Sequence, residues 1–330
     1  MVSVHEGGSP DLSLRAHGRA VRPAAPSTAP PKRRMMPLWV TGLAFLAPAL
    51  LVYGLFLIYP VIQSINYSFL EWGGPGRPAT PVGFDNYTAV FSDPNFFRAL
   101  ANNGVVVVVS LLVQLPVGLI LAVIISSKIR AKRLWRAVFF LPTLMSTVAV
   151  GILWGFIYNP SYGLVNTLLR TVGLGDLAQG WLGQGSTAMG AVMVTTVWQF
   201  APFYMIIYAA AISALPADIY EAASLDGATR LQQFFRITLP LLRPALITTA
   251  VLSLIGSIKF FDLIYVMTNG GPSGSTELLA TYVFKKGFTE QQFGYASALA
   301  VVMFLTALVL TTIVLVRSRQ TVRAPKKGRM

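Results

Sequence analysis

The stretch GVVVVVSLLVQLPVGLILAVII, Gly104 to Ile125, holds no Asp, Glu, Lys or Arg. About 20 such residues in helical form cross a hydrocarbon core. The β-branched run Val105 to Val109 suits a strand taken alone. The segment stays apolar to Ile125, however, and in lipid a lone strand leaves its N–H and C=O groups unpaired, whereas a helix pairs its own. A helix is therefore expected. Pro116 is tolerable there because neighbouring groups re-satisfy the carbonyl it frees, and it marks a kink, as do Pro48 and Pro202 in two further apolar runs.

Working outward, five more stretches of this kind run approximately 38–59, 137–158, 187–212, 245–267 and 293–316, and of the six only 245–267 contains charged residues. The 38–59 run is longer, and begins further from the N-terminus, than the apolar core of about 7–15 residues in a secretory signal. Composition agrees with a membrane protein. Of 330 residues, 54% are hydrophobic and 12% charged, against about 45–50% and about 25% in soluble domains. A water-soluble enzyme is excluded on that ground. The fold class expected is all-α, a polytopic membrane protein with six transmembrane helices.

The absence of Cys removes thiolate nucleophiles, disulfides and Cys-ligated metals. The two histidines, His5 and His17, lie in the N-terminal stretch, so Ser-His-Asp hydrolysis and the usual zinc chemistry have no residues to use. No catalytic residue and no metal ligand is assigned.

A net charge of +14 invites a nucleic-acid reading. The distribution of Lys and Arg decides against it: residues 1–37, 126–136, 213–244 and the tail from Arg317 hold 20, the alternate segments hold 5, and Lys259 lies inside a span. Basic residues are retained on the cytoplasmic face, which places both termini and the 126–136 and 213–244 loops inside. The expected organisation is a disordered Pro-rich extension over 1–37, a six-helix membrane domain over 38–316, and a basic tail over 317–330. In the outer loop 60–103, Gly73 to Gly76 precedes a stretch expected to form a small helical cap.

Residues 216–244, PADIYEAASLDGATRLQQFFRITLPLLRP, are the most informative. Pro216 suits a first helical position. Ile219, Ala222, Ala223 and Leu225 make an apolar side of a short helix, Gly227 permits a close turn, and a second helix follows whose Phe234, Phe235 and Leu239 are expected to pack back. This stretch resembles the signature loop of ABC importer permeases: Glu221-Ala222-Ala223, three residues, Gly227, nine residues, then Ile237-x-Leu239-Pro240, all seven fixed positions at the family spacing. The local form through Asp226 looks like the carbohydrate-uptake class. Phe261 to Pro272, Gly294 to Ala298 and Gly83 to Tyr87 are similar to the first of the two permeases of sugar importers.

That resemblance, over roughly 38–318, implies a type I ABC importer permease fold in a bacterial or archaeal cell membrane. It implies a second permease subunit, two copies of a cytoplasmic ATPase, an extracellular solute-binding protein and a sugar as substrate, with a di- or oligosaccharide first among the choices. This chain has no phosphate-cradling G-x-x-x-x-G-K-[ST] loop, so ATP and Mg belong to the partner ATPase and no cofactor is expected here. By the resemblance, Glu221, Ala222, Ala223, Asp226, Gly227, Ile237, Leu239 and Pro240 couple the ATPase to the membrane helices, small residues giving close contact and carboxylates oriented charge.

Sugar recognition needs aromatic faces and amide or hydroxyl groups in a concavity. Ser110, Gln114 and Gly118 share a side of one span, Thr143, Thr147 and Trp154 of another, and Thr195, Gln199 and Phe203 of a third. Gln114, Thr147, Trp154, Gln199 and Phe203 are the candidates drawn from these, although such residues also glue helices together. Lys259 and Asp262, three apart, are expected on one face of the fifth span, at a cost of about 5–7 kcal/mol for two charges at its centre. They either meet partners or water inside the bundle or form a mutual salt bridge. Two other classes compete: an ion- or proton-coupled carrier using this pair, and a membrane enzyme using outer-loop groups such as Asp85 and Asp93.

Overall fold

A computed structural model describes residues 38–127 and 130–322. The 1–37 extension and the end of the tail lie outside these residues. The chain divides into two units, Met1–Tyr53 and Gly54–Met330. In the first, α1 is Leu38–Tyr53, with Pro48 inside it.

The second unit opens with a wide, π-helical turn, Gly54–Ile58, leading into α2 (Tyr59–Tyr67). A hairpin of β1 (Leu70–Trp72) and β2 (Ala79–Pro81) pairs Glu71 with Thr80, and the Gly-rich stretch forms its turn. Then come α3 (Asp85–Ser92), α4 (Pro94–Val109) and α5 (Leu115–Ser126), the last two joined by a second π-helical turn, Ser110–Gln114. A third such turn, Phe234–Thr238, precedes Leu239–Pro240, and a fourth is Lys285–Thr289. The first three share a cause. A proline sits two residues beyond each, at Pro60, Pro116 and Pro240, so the carbonyl it orphans and crowds, four residues back, belongs to Phe56, Leu112 or Arg236, the middle of the turn. Widening the turn relieves the ring's clash.

Among the described residues four helices are long and apolar enough to cross a membrane: Phe45–Tyr67, Pro94–Ser126, Ala188–Ser213 (α9) and Phe293–Arg317 within α16 (Phe293–Val322). Counting each of two bent pairs as one span raises the number to as many as six. One is α6 (Lys132–Leu144) with α7 (Thr147–Ile157), bent by 96°; the other joins Arg230–Leu241 to α13 (Arg243–Ile258) at 66°. The 137–158 segment is thus no straight span. Pro142 ends its first half, and Met145 and Ser146 take extended ψ values of 145° and 134° before α7 restarts. The 245–267 expectation is corrected too: α13 ends at Ile258, Lys259 and Phe261 leave helical geometry, and Asp262–Met267 is a separate short helix, α14. The second span starts ten residues earlier than expected, at Pro94, and the sixth continues past 316 to Val322.

Lipid tails supply no hydrophobic drive between helices, so close packing and interhelical hydrogen bonds hold them. At Gly118 on α5, a Cβ would lie 2.9 Å from Ala201 O and from Tyr204 Cβ of α9. That approach builds the cluster of Leu115, Ala122 and Ile125 with Tyr204, Met205 and Tyr208. Tyr208 shares a 2.6 Å hydrogen bond with Thr249 of α13. A second cluster joins Val106, Val150, Val192, Leu263 and Leu278. A third closes the expected helical cap, where Val90 and Phe96 meet α15 (Leu279–Phe284) and Leu299 and Val302 of α16. Outward faces stay apolar and open, as at Leu112 and Phe304, 71% and 60% exposed.

Candidate functional site

Two features stand out, a braced loop and a polar cavity, and α13 links them. In the loop, Pro216 is the capping residue just outside α10 (Ala217–Leu225), one place earlier than expected. The helix stops in a Schellman turn: Ala228 N–H donates to Ala223 O at 2.9 Å and Gly227 N–H to Ser224 O at 3.1 Å. Gly227 has φ +76°. A Cβ there would meet nothing within 4 Å, so glycine answers a left-handed backbone and not crowding, contrary to the steric expectation.

Thr229 and Gln232 then form a capping box for α11 (Arg230–Gln233). Gln233 Nε2 donates to Ser224 Oγ at 3.0 Å and Ala228 O at 3.1 Å, and Tyr220 and Thr238 share a 2.9 Å hydroxyl bond. The two halves of the loop are thereby tied into one body. Glu221, Ala222, Asp226, Gly227 and Pro240 are exposed, while Ala223, Ile237 and Leu239 are half-buried. Leu225 and Phe235 do not pack back, being 90% and 57% exposed.

The cavity, of about 150 Å³, lies among α4, α5, α9 and α13. Ser110 and Gln114 come from the widened turn before Pro116, Thr196, Phe200, Phe203 and Tyr204 from α9, and Ser253, Gly256, Ser257 and Phe260 from α13 and its end. Ser110 Oγ donates to Gln114 Oε1 at 3.2 Å. Ser253 Oγ is buried with no hydrogen bond of good geometry. The wall thus offers hydroxyls, an amide and aromatic rings.

Of the sequence candidates, Gln114 and Phe203 meet here. Gln199 instead spans from α9 to the break between α6 and α7, its Nε2 3.4 Å from both Met145 O and Thr147 Oγ1. It therefore caps a carbonyl freed by the bend. Trp154 packs between Tyr158 and Trp198, with ring centroids 5.2 and 5.5 Å away. Neither it nor Thr147 lines the cavity. Lys259 and Asp262 are not on one helical face, since the break separates them; both are exposed, and they make no ion pair with each other. Sequence reasoning missed Ser253, Gly256, Ser257 and Phe260, although their i, i+3, i+4, i+7 spacing marks one helix face.

On the opposite end from the loop, Asp93 caps α4 through Asn95 N–H at 2.9 Å. Its other oxygen accepts from Tyr282 and, at 2.8 Å, from Tyr295. Lys286 lies 5.5 Å over both rings and pairs with Glu290 at 2.7 Å. Burial pushes the Asp93 carboxyl up, but the two phenol bonds, the Asn95 N–H and Lys286 together hold it below the usual range. Burial and the bond to that carboxylate raise Tyr282. This carboxylate is thus committed to two phenols and a helix cap.

Bent membrane helices around a small polar cavity, with a tied loop running directly into a cavity-lining helix, define a helical membrane-transport protein. Residues 114–323 match the family described as binding-protein-dependent transport system inner membrane component, and the chain belongs to it. It is an ABC importer permease with the type I fold, multi-pass in the cell membrane. The chain is 39% identical over 269 residues to a probable ABC transporter permease, YurN, of Bacillus subtilis, covering 81% of this chain and 92% of that protein. It is 35% identical over 315 residues to the diacetylchitobiose uptake system permease NgcF of Streptomyces coelicolor, covering 92% and 89%. A crystal structure of a bacterial alginate ABC transporter, in complex with an alginate pentasaccharide-bound periplasmic protein, superposes with a TM-score of 0.76 at 26% identity, over 87% of this chain and 96% of that one.

Proposed function

We propose that this permease moves a sugar, a di- or oligosaccharide, that an extracellular binding protein delivers, and that it forms the pathway together with a second permease. Two copies of a cytoplasmic ATPase hold ATP and Mg, and this chain performs no hydrolysis itself. The relatives support the substrate class, one being a diacetylchitobiose uptake permease and another an alginate transporter. Both termini and the 213–244 loop lie inside, on the charge distribution.

The observation that carries this reading is the path from loop to cavity. After Pro240 only Leu241 and Leu242 separate the braced loop from α13, whose Ser253, Gly256 and Ser257 line the cavity. Rotation of the loop is thus transmitted along one rigid helix to the polar wall. Glu221, Ala222, Ala223, Asp226 and Gly227 are the residues that seat in the ATPase, with Ile237, Leu239 and Pro240 setting the return angle. Gln114 and Phe203 contact substrate together with the α13 residues. Thr147, Trp154 and Gln199 position the bend of α6 and α7, and Lys259 and Asp262 flank the break next to Phe260 of the cavity wall.

The test is ATP hydrolysis by the reconstituted transporter with its binding protein, measured against a panel of di- and oligosaccharides. Stimulation by at least one, lost in Glu221→Lys while the ATPase still co-purifies, is expected. Stimulation by none, or an unaffected Glu221→Lys variant, refutes the assignment.

A further inference from the structure

A second cavity, of about 700 Å³, opens where α5 and α9 end and the braced loop begins. Its two kinds of wall differ sharply. Val123, Ile212 and Phe234 are apolar, whereas Ser126 and Arg230 supply a hydroxyl and a guanidinium, the hydroxyl of Ser127 on the same wall already donating to Ile124 O at 2.6 Å. The polar groups contributed by the loop are already committed to one another, Tyr220 to Thr238 and Gln233 to Ser224 and Ala228. Arg230 is not: among the described residues its guanidinium has no ion pair or hydrogen bond, and no carboxylate lines the cavity. Ser126 and Ile212 belong to the last turns of membrane-spanning helices, so this space sits at headgroup depth. Arg130, Lys132, Arg133 and Arg136 follow close along the chain, and like-charged neighbours attract anionic lipid to this side of the membrane.

We infer that this cavity is a binding site for a phosphate-bearing anion, held by Arg230 with the hydroxyl of Ser126. A guanidinium with an adjacent hydroxyl matches phosphate oxygens. The apolar wall suits the upper part of an acyl chain, which makes an anionic phospholipid headgroup the first source and free phosphate the second. Occupation would wedge the loop against the ends of α5 and α9. The site is independent of the sugar pathway, and only the leaflet that supplies the lipid rests on the orientation proposed above.

The chain has no cysteine, so Ser127→Cys reports occupancy by its rate of reaction with a small maleimide, read on this subunit of the assembled transporter. Nanodiscs of phosphatidylglycerol should slow labelling relative to phosphatidylcholine. Adding Arg230→Gln should remove the protection, weakening it about tenfold or more, as expected for loss of one charge-assisted contact. Ile212→Trp, which fills the apolar side, should make labelling independent of lipid and serves if the arginine variant fails to assemble. Protection by inorganic phosphate in phosphatidylcholine discs would assign the site to the free anion. Equal labelling in both lipids with no effect of phosphate, or protection that persists in Arg230→Gln, overturns the inference.

Discussion

Gly227 shows how a single residue ties backbone conformation to coupling. Its φ of +76° costs roughly 1–2 kcal/mol for an ordinary L-residue, yet the space beside it is empty. Asn tolerates the left-handed region and Leu does not. Gly227→Asn is therefore expected to keep substrate-stimulated ATP hydrolysis, and Gly227→Leu to lose most of it while remaining in the membrane. Equal loss in both variants would mean that contact with the ATPase, and not backbone geometry, requires glycine. Ser253 gives a complementary case. Its hydroxyl is buried with no hydrogen bond of good geometry, Tyr204 being the polar side chain beside it, so its removal costs little stability. Ser253→Ala should leave thermal stability unchanged or slightly raised and reduce transport. A fall in stability with transport intact would make the residue structural.

Asp93 matters at the scale of elements, because it joins the start of α4 to α15 and α16 through Tyr282 and Tyr295. A carboxyl held below its ordinary value contributes stability above the unfolded pKa, about 3.9, and loses it only as pH falls through the lower folded value. Between pH 5 and 8 the cap should therefore not respond to this group. Asp93→Asn should loosen it at every pH, by on the order of 1–3 kcal/mol for weakened bonds to a charge, read as faster proteolysis of the 60–103 loop. Unchanged proteolysis would show that the apolar cluster of Val90, Phe96 and Leu299 holds the cap alone. The bent pairs are the other lesson at this scale. Pro142 is not among the prolines expected to mark kinks, and the 96° turn is held by Gln199 of α9, whose O accepts from Thr143 Oγ1 before the break at 2.7 Å and whose Nε2 lies 3.4 Å from Thr147 Oγ1 after it.

For the whole molecule the expectation is ATP-driven import with an inward-facing loop. A single cysteine at Ala79, exposed in β2, should react with an impermeant reagent in intact cells, and one at Ala324 should be protected. The reverse pattern would invert every assigned side. Uptake should collapse on ATP depletion and persist when the ion gradient is dissipated with ATP maintained. The opposite dependence would restore the carrier reading for Lys259 and Asp262, which now lacks its common helical face.

The sequence by itself determined the six apolar runs and the loop from Glu221 to Pro240, and it carries the expected orientation in its charge, because hydropathy, Lys and Arg placement and short-range spacing are local properties of the chain. It also held the face Ser253, Gly256, Ser257 and Phe260, in a form no different from an ordinary packing stripe. Only the tertiary structure decided that this stripe meets Gln114 and Phe203 around a cavity, while Gln199, Trp154 and Thr147 serve the bend. The break at Lys259 was equally unreadable, since an apolar run has the same hydropathy whether its helix is continuous or broken. In lipid the hydrophobic effect inserts helices without choosing their neighbours; close approaches such as that at Gly118, and the carbonyls freed by bends, make that choice.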